Sequence, residues 1–404
     1  MHTVTIKLKQ HTPVLHFQTD AAAPIRATEL KPKLDKFIIA NYHGKVPDEW
    51  FVKTDNKVNA LNYKLRIISN ATSQMQCQKD KNGKPILPMF FGDGKTPLIA
   101  RDADNHNTVT IELFCLNKGL CDYINEKIDW NLFFLTNNFG TRQDKGYGSF
   151  YPEDSHFNGS ELPGHIVKTD NGVDYRVDSF FTVDDASGKQ WNAVMKRIDR
   201  VARCMRSGIN LDNEGIYFKS LMFAYAKSKG LFWDKRIIKE NFYPKDLKNQ
   251  RAEHPDSEEL ALLDGEKPHY MFRDFLGLST FENWREPYHK KITKKDSGRR
   301  ISRFKSPLLF KPIWSNGQWF VFLLHREIPT QFFKGSFIVK DNDRNYIRDM
   351  RPYQDFSMSK YLNNIFDQDY QYEKHFQKPI NDKANRILKD LNTIRNNYVK
   401  INTL

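Results

Sequence analysis

The tightest local constraint in this sequence is a group of glycines. Gly140, Gly146 and Gly148 fall within Asn137-Asn138-Phe139-Gly140-Thr141-Arg142-Gln143-Asp144-Lys145-Gly146-Tyr147-Gly148-Ser149-Phe150. Glycine reaches backbone dihedrals that other residues adopt only with strain, so three of them this close together predict a turn. It follows Leu132-Phe133-Phe134-Leu135, a short apolar run that predicts a buried strand. Arg142 and Lys145 put positive charge on the loop, and Tyr147 and Phe150 add aromatic surface. Amides left unpaired by a glycine-rich turn, beside a guanidinium and an ammonium, suit a phosphodiester backbone. The same glycines also suit a plain hairpin loop, because short glycine patterns recur without function.

Charge favours the first of these readings. The 404 residues carry a formal net charge of +14, which points to an anionic partner. Hydrophobic residues at 39% allow a sizeable core, and the length predicts two or three domains. Cys77, Cys115, Cys121 and Cys204 are scattered with no CxxC pair, so neither a disulfide framework nor a metal site is expected. The simplest expectation is a reduced, cytoplasmic protein without cofactors. The start, Met1-His2-Thr3-Val4, lacks the apolar core of a signal peptide, and no run of about 18 apolar residues predicts a membrane span.

Taken in order, Val4, Ile6 and Leu8 alternate with polar neighbours and predict a strand, resumed at Val14 to Phe17. Thr28 is a candidate N-cap for a helix whose face carries Leu30, Leu34, Phe37 and Ile38, with Pro32 near its first turn. Arg26, Lys31 and Lys33 would then sit at the helix mouth, where amides favour anions, or on an ordinary solvated face. Strands are predicted over 59–69 and 107–116, a helix over 118–127, and a strand over 130–136. Residues 70–104 read as an irregular excursion. The order strand, helix, strand, strand, helix, strand is that of a ferredoxin-like, RRM-like split βαβ unit.

Beyond the loop, Val173 to Val183 predicts a strand. Ser187 to Arg206 predicts the strongest helix, with Trp191, Val194, Met195, Ile198, Val201, Ala202 and Met205 on one face and Gly208 past its end. Lys196, Arg197, Arg200 and Arg203 form a cationic ridge opposite, balanced in this reading only by Asp199. A further helix is expected over 216–227, stopping at Gly230, and an acidic linker from Glu253 to Glu266. His289, Lys290, Lys291, Lys294, Lys295, Arg299, Arg300, Arg303 and Lys305 form the densest basic run, expected as a flexible loop that tracks phosphates. Two strands, 308–314 and 318–326, are joined by Ser315-Asn316-Gly317 as a hairpin. An amphipathic helix over 379–398 closes the chain.

The marks coincide with a known family. Thr12-Pro13 after the first strand, the Ile25-Arg26-Ala27-Thr28-Glu29-Leu30-Lys31 helix opening and the loop's Gly140-Thr141-Arg142 and Gly146-Tyr147-Gly148-Ser149 resemble the RAMP superfamily of CRISPR-associated RNA-binding proteins. Ser306-Pro307-Leu308 is similar to the strand entering a second RAMP-like domain. The resemblance is strongest over 1–150, weaker over 265–345, and closest to the head subunit, the first-named RAMP, of the type III-B Cmr effector module. The chain departs from the pattern at Phe17-Gln18-Thr19-Asp20 and at Asn137-Asn138, where many members carry glycines. The resemblance implies an α+β protein with two ferredoxin-like RAMP domains and a helical insert, divided at 1–165, 166–260 and 261–404. It implies a non-catalytic subunit that contacts crRNA, target RNA and neighbouring RAMP subunits in antiviral defence. The RNA-binding candidates are Arg26, Lys31, Lys33, Gly140, Arg142, Lys145, Gly146, Tyr147, Gly148, Arg197, Arg200, Arg299, Arg300, Arg303 and Lys305.

Two other readings stand beside it. Metal-independent RNA cleavage needs a general base near a 2′-hydroxyl and an acid for the leaving oxygen. His16, or His43 with Tyr42, are the candidates, and RAMP proteins include crRNA-processing endoribonucleases. Asp20 lies where backbone RAMP subunits carry a cleaving acid. The third reading is a scaffold that touches only other subunits. No Walker loop, HExxH, GxSxG or paired-acid metal motif supports a small-molecule enzyme.

Overall fold

The computed structural model describes residues 2–15, 24–53, 60–69, 73–75, 98–100, 108–155, 166–167, 175–183, 191–211, 216–253, 268–284, 290–343, 345–376, 380–396 and 398. In chain order the first elements are β1 (His2–Gln10), β2 (Val14–Leu15), α1 (Ala27–Asn41), β3 (Tyr63–Ser69), β4 (Ser73–Met75), β5 (Leu98–Ala100) and β6 (Thr108–Cys115). Next come α2 (Lys118–Glu126), α3 (Trp130–Leu135), β7 (Phe150–Pro152), β8 (Ile166–Val167), β9 (Tyr175–Val183) and α4 (Trp191–Arg206). They are followed by β10 (Ile209–Leu211), β11 (Ile216–Phe218), α5 (Leu221–Ser228), α6 (Asp234–Phe242) and α7 (Pro244–Glu253). Then β12 (Tyr270–Met271), β13 (Phe281–Trp284), β14 (Lys290–Asp296), β15 (Leu308–Ser315) and β16 (Gln318–Arg326). The last are α8 (Thr330–Phe333), β17 (Phe337–Lys340), β18 (Tyr346–Pro352), α9 (Met358–Ile365) and α10 (Asp382–Asn396).

The chain forms two compact units, one of 1–199 with 309–326 and one of 200–308 with 327–404. In the first, an antiparallel sheet runs in the order β3-β6-β1-β7. Val4, Ile6 and Leu8 of β1 and Val109, Ile111 and Leu113 of β6 turn inward at period two, and Leu30, Leu34, Phe37 and Ile38 of α1 join the same core. The expected helix starts earlier than read: Arg26 is its N-cap and Thr28 lies inside, so Pro32 falls in the second turn. A second sheet has the order β15-β16-β9-β8. Asn316 (φ +50°) and Gly317 (φ +78°) make its two-residue hairpin, as a primed turn requires.

The stretch 130–136 corrects the reading of a strand. Asp129 caps a helix there, its carboxylate accepting from Leu132 N at 2.9 Å. Thr136 Oγ1 donates to Leu132 O and Asn137 Nδ2 to Phe133 O, which satisfies the last carbonyls. A four-residue apolar run does not carry enough period to separate helix from strand. The fourth strand of the sheet is instead β7, just beyond the glycines.

In the second unit the sheet order is β12-β18-β17-β14-β13, with β12 parallel to β18 and the other pairs antiparallel. The expected helix over 216–227 begins only at Leu221: Ser220 caps it, and 216–218 pair with β10. Gly208 ends α4 at φ +80°, its N–H donating to Arg203 O at 2.9 Å.

Candidate nucleic-acid interface

The glycine-rich loop is folded inward. Phe139 N donates to Gly148 O (2.9 Å), Thr141 N to Leu15 O (2.7 Å) and Gly148 N to Pro13 O (2.8 Å). Thr12 Oγ1 donates to Gly146 O (2.7 Å) and accepts from Ser149 N (2.9 Å), while Ser149 Oγ donates to Pro312 O (2.6 Å). Gly140 N points at a carboxylate of the chain itself: Glu29 accepts from it at 2.9 and 3.1 Å, and from Gln143 Nε2 at 2.6 Å. These amides are therefore occupied, which corrects the expectation of a free phosphate cradle. All three glycines have positive φ, and a β-carbon at 140 would meet Leu15 O at 2.7 Å. The glycines are needed because backbone packs on backbone.

Charged candidates in this unit are mostly engaged. Lys33 reaches Glu29 (3.0 Å), Asn138 O (2.6 Å) and Gln143 Oε1 (3.0 Å), with its ammonium 4.5 Å above the Phe139 ring. Lys31 pairs with Asp35 (2.8 Å), donates to Leu61 O (2.8 Å) and lies over Tyr63. Both lie in the second turn of α1, so only Arg26 is at its mouth. Tyr147 is 3% exposed, so its ring does not offer a stacking face. Arg142 adopts φ +58° and lies 3.8 Å from Asp199. Lys145 bridges to Phe310 of β15 and is half-buried.

One lysine is the reverse of a surface charge. Lys311 is fully buried, its Nζ donating to Asn137 O (2.9 Å) and Phe150 O (2.7 Å) at the two ends of the loop. Burial, and then the nearby Lys33, push its ammonium well below the ordinary lysine range.

On the cationic ridge of α4, Arg200 is tied to Asp390 of α10 at 2.5 Å, a second acid that corrects the expectation of balance by Asp199 alone. Arg197 is half-buried and Arg203 exposed.

The basic run 289–305 divides in two. Lys290–Asp296 is the strand β14 and not a flexible loop. Lys294 is buried beneath it, 2.7 Å from both Asp274 and Glu282. Arg273 joins the cluster, 2.8 Å from Glu282 and 3.2 Å from Asp234. Burial raises Asp274, whereas Arg273, Lys294 and Arg206 overcome burial to hold Glu282 well below its usual range. Past β14 the chain turns over Asp296, a buried carboxylate that accepts from Gly298 N (3.2 Å), Arg300 N (2.7 Å) and Ser336 N (3.2 Å). The turn holds Arg299 at φ +53°, and Arg299, Arg300, Arg303 and Lys305 are all exposed. Arg300 Nη1 also donates to Lys334 O. Asp296 was not singled out from the sequence, although Asp296-Ser297-Gly298 carries the signature of a side chain capping its own turn.

The catalytic candidates are not assembled into a site among the described residues. Tyr42 packs in an aromatic group with Trp50 (5.2 Å) and Tyr123 (5.0 Å), and His43 is exposed after α1. His16 and Asp20 lie outside the described residues, as do Cys77, the acidic stretch from His254 to Glu266, and His289. Among the described residues no group of His, Cys, Asp and Glu is placed to hold a metal, and no helix is long and apolar enough to cross a membrane.

Two family models match the chain. The family model for the Cmr1 N-terminal domain matches residues 1–209, and the model for the Cmr1 C-terminal domain matches 217–396. The crystal structure of Cmr1 from Pyrococcus furiosus in its apo form is similar at 15% identity, with a TM-score of 0.38 over 82% of this chain and 89% of that one. No curated protein matches the chain. Covered nearly end to end by the two domain models, the chain belongs to the Cmr1 family, RAMP subunits of the type III-B CRISPR Cmr module.

Proposed function

We propose that the chain is a non-catalytic RNA-binding subunit of a type III-B effector, contacting crRNA and target RNA and adjoining other RAMP subunits. The observation that carries this reading is the turn over Asp296. A buried carboxylate accepts from the amides of Gly298, Arg300 and Ser336, so the backbone that carries the exposed Arg299 is fixed and has little disorder left to lose on binding, and Arg303 is exposed just beyond the turn. Exposed guanidiniums on and beside a fixed turn suit phosphate oxygens, which position an RNA without reading its bases. Arg26, Arg142, Lys145 and Arg197 would add charge from the first unit, and sequence would be read by guide–target pairing. In this reading the glycine-rich loop holds the backbone that carries Arg142 and Lys145 of the first unit. The first unit would be ferredoxin-like, since β1-α1-β3-β6-α2-β7 follows the split βαβ order and the sheet runs β3-β6-β1-β7. That strand order does not recur in the five-stranded sheet of the second unit.

The test uses labelled CRISPR-repeat RNA and the full chain without metal, with binding and cleavage followed together over a salt series. Salt-sensitive binding without cleavage, weakened in Arg299→Gln/Arg303→Gln, supports the proposal. Site-specific cleavage overturns it in favour of a processing ribonuclease. Absence of binding overturns it in favour of a scaffold.

A further inference from the structure

The outer face of the second unit's sheet carries two exposed aromatic rings in one lateral row. Phe281 of β13 is 46% exposed and Tyr346 of β18 is 52% exposed, the two aromatic rings among the exposed large hydrophobic side chains of the described residues. The register joins them: Phe281 pairs with Thr293, Thr293 with Lys340, and Lys340 with Tyr346. Side chains alternate across a sheet, so these four share a face, while Ile292, Val339 and Ile347 are buried on the other. Three strand spacings separate the rings by about 14 Å, far enough for each to take a different base.

Cations surround the rings. Lys291 lies 4.4 Å above the centre of Phe281, and Arg348 lies 5.0 Å from that of Tyr346, its Nη2 3.4 Å from the phenol oxygen. Lys295 and Lys340 are exposed on the same strands. Among the described residues none of these four cations is paired with a carboxylate. A bulge in β18 past Ile347, where Asp349 has φ +57°, shifts the pairing with β17 by one residue between Val339 and Phe337, and Asp349 itself accepts from Ser336 Oγ at 3.0 Å. An aromatic face bordered by lysine and arginine matches the two demands of an unpaired nucleic-acid strand, stacking for bases and positive charge for phosphates. A duplex keeps its bases stacked on one another and cannot use the rings.

We propose that this sheet face is a single-stranded RNA-binding platform, with Phe281 and Tyr346 each stacking one base and Lys291, Lys295, Lys340 and Arg348 holding the phosphates between. The platform is distinct from the basic turn over Asp296 and extends the RNA reading to a second surface of the same unit.

The test measures the full chain against a labelled oligouridine and against the same length of duplex. Phe281→Ala/Tyr346→Ala is expected to weaken the single strand by at least tenfold, with the slope of affinity against salt unchanged and duplex binding unaffected. Phe281→Tyr/Tyr346→Phe keeps both rings and is expected to restore wild-type affinity. Irradiation of a thiouridine-substituted strand is expected to attach it to peptides holding Phe281 or Tyr346. Wild-type affinity in the alanine variant, with binding still weakened in Arg299→Gln/Arg303→Gln, overturns the platform and leaves the basic turn standing. An alanine variant that keeps RNA affinity but no longer co-purifies with neighbouring Cmr subunits overturns it in favour of a protein contact. No RNA binding by the wild type overturns both.

Discussion

At the scale of single residues, the left-handed positions separate into those that are merely turned and those that are also crowded. Gly148 has φ +68°, and a β-carbon there would overlap the carbonyl oxygen of Phe139. Gly230 has φ +66°, with nothing within 4 Å of the same position. Gly148→Ala should therefore cost about 3 kcal/mol or more, against about 1 kcal/mol for Gly230→Ala, as read from denaturant midpoints of the two variants. His375 gives a second residue-scale test. It is buried between Lys219 O (2.7 Å) and the Tyr370 hydroxyl (2.8 Å), an arrangement that puts the proton on Nδ1 and lets Nε2 accept. Burial pushes its pKa down to about 4 from the usual 6.5. Unfolding then takes up a proton below pH 6.5, so stability falls between pH 6.5 and 4 by about 3 kcal/mol from this group. In His375→Gln that acid-side loss should shrink, which thermal melts at pH 7 and pH 4.5 would show. The glycines were legible in the sequence because their constraint is local. Their partners were not, because Leu15, Pro13 and Glu29 reach them from more than 100 residues away.

At the scale of elements, strands and helices with long clean periods were readable: β1, β6, α1, α2, α4 and the hairpin at Asn316-Gly317 follow from alternation, helical spacing and turn chemistry. The failures were short or charged. Residues 130–135 are too short and too continuously apolar to reveal a period, and the decisive signal was the cap Asp129. Lys290–Asp296 reads as a charged loop because every second residue of a half-buried strand faces water, while buried Lys294 is neutralised by acids contributed from elsewhere in the unit. Strand β15 hides another such lysine, with a consequence for pH. The folded chain holds Lys311 neutral at pH values where the unfolded chain still protonates it. Unfolding therefore takes up a proton, so this residue's contribution to stability rises with pH toward the ordinary lysine range near 10.5 and is lost as pH falls. The slope is at most about 1.4 kcal/mol per pH unit. Lys311→Met should flatten it, as melts between pH 7 and pH 10 would show.

At the scale of the whole molecule, a net charge of +14 would draw any polyanion and cannot by itself distinguish a specific RNA surface from general attraction. The two differ in how affinity depends on salt, because only cations in direct contact with phosphates release counterions on binding. Some of the cations, Lys31, Lys33, Arg200, Arg273 and Lys294 among them, are taken up internally and so should contribute little to that slope. Arg299 and Arg303 are exposed on the turn over Asp296 and should contribute fully. For a single strand each neutralised phosphate adds about 0.7 to the slope of log affinity against log salt, so Arg299→Gln/Arg303→Gln should lower it by about 1.4. Charge removed at a site that does not touch phosphates would change affinity little and leave the slope close to its wild-type value. A titration between 50 and 200 mM salt, roughly the range over which phosphate contacts change affinity most visibly, separates the two. An unchanged slope in the double variant would place the phosphates elsewhere on the molecule.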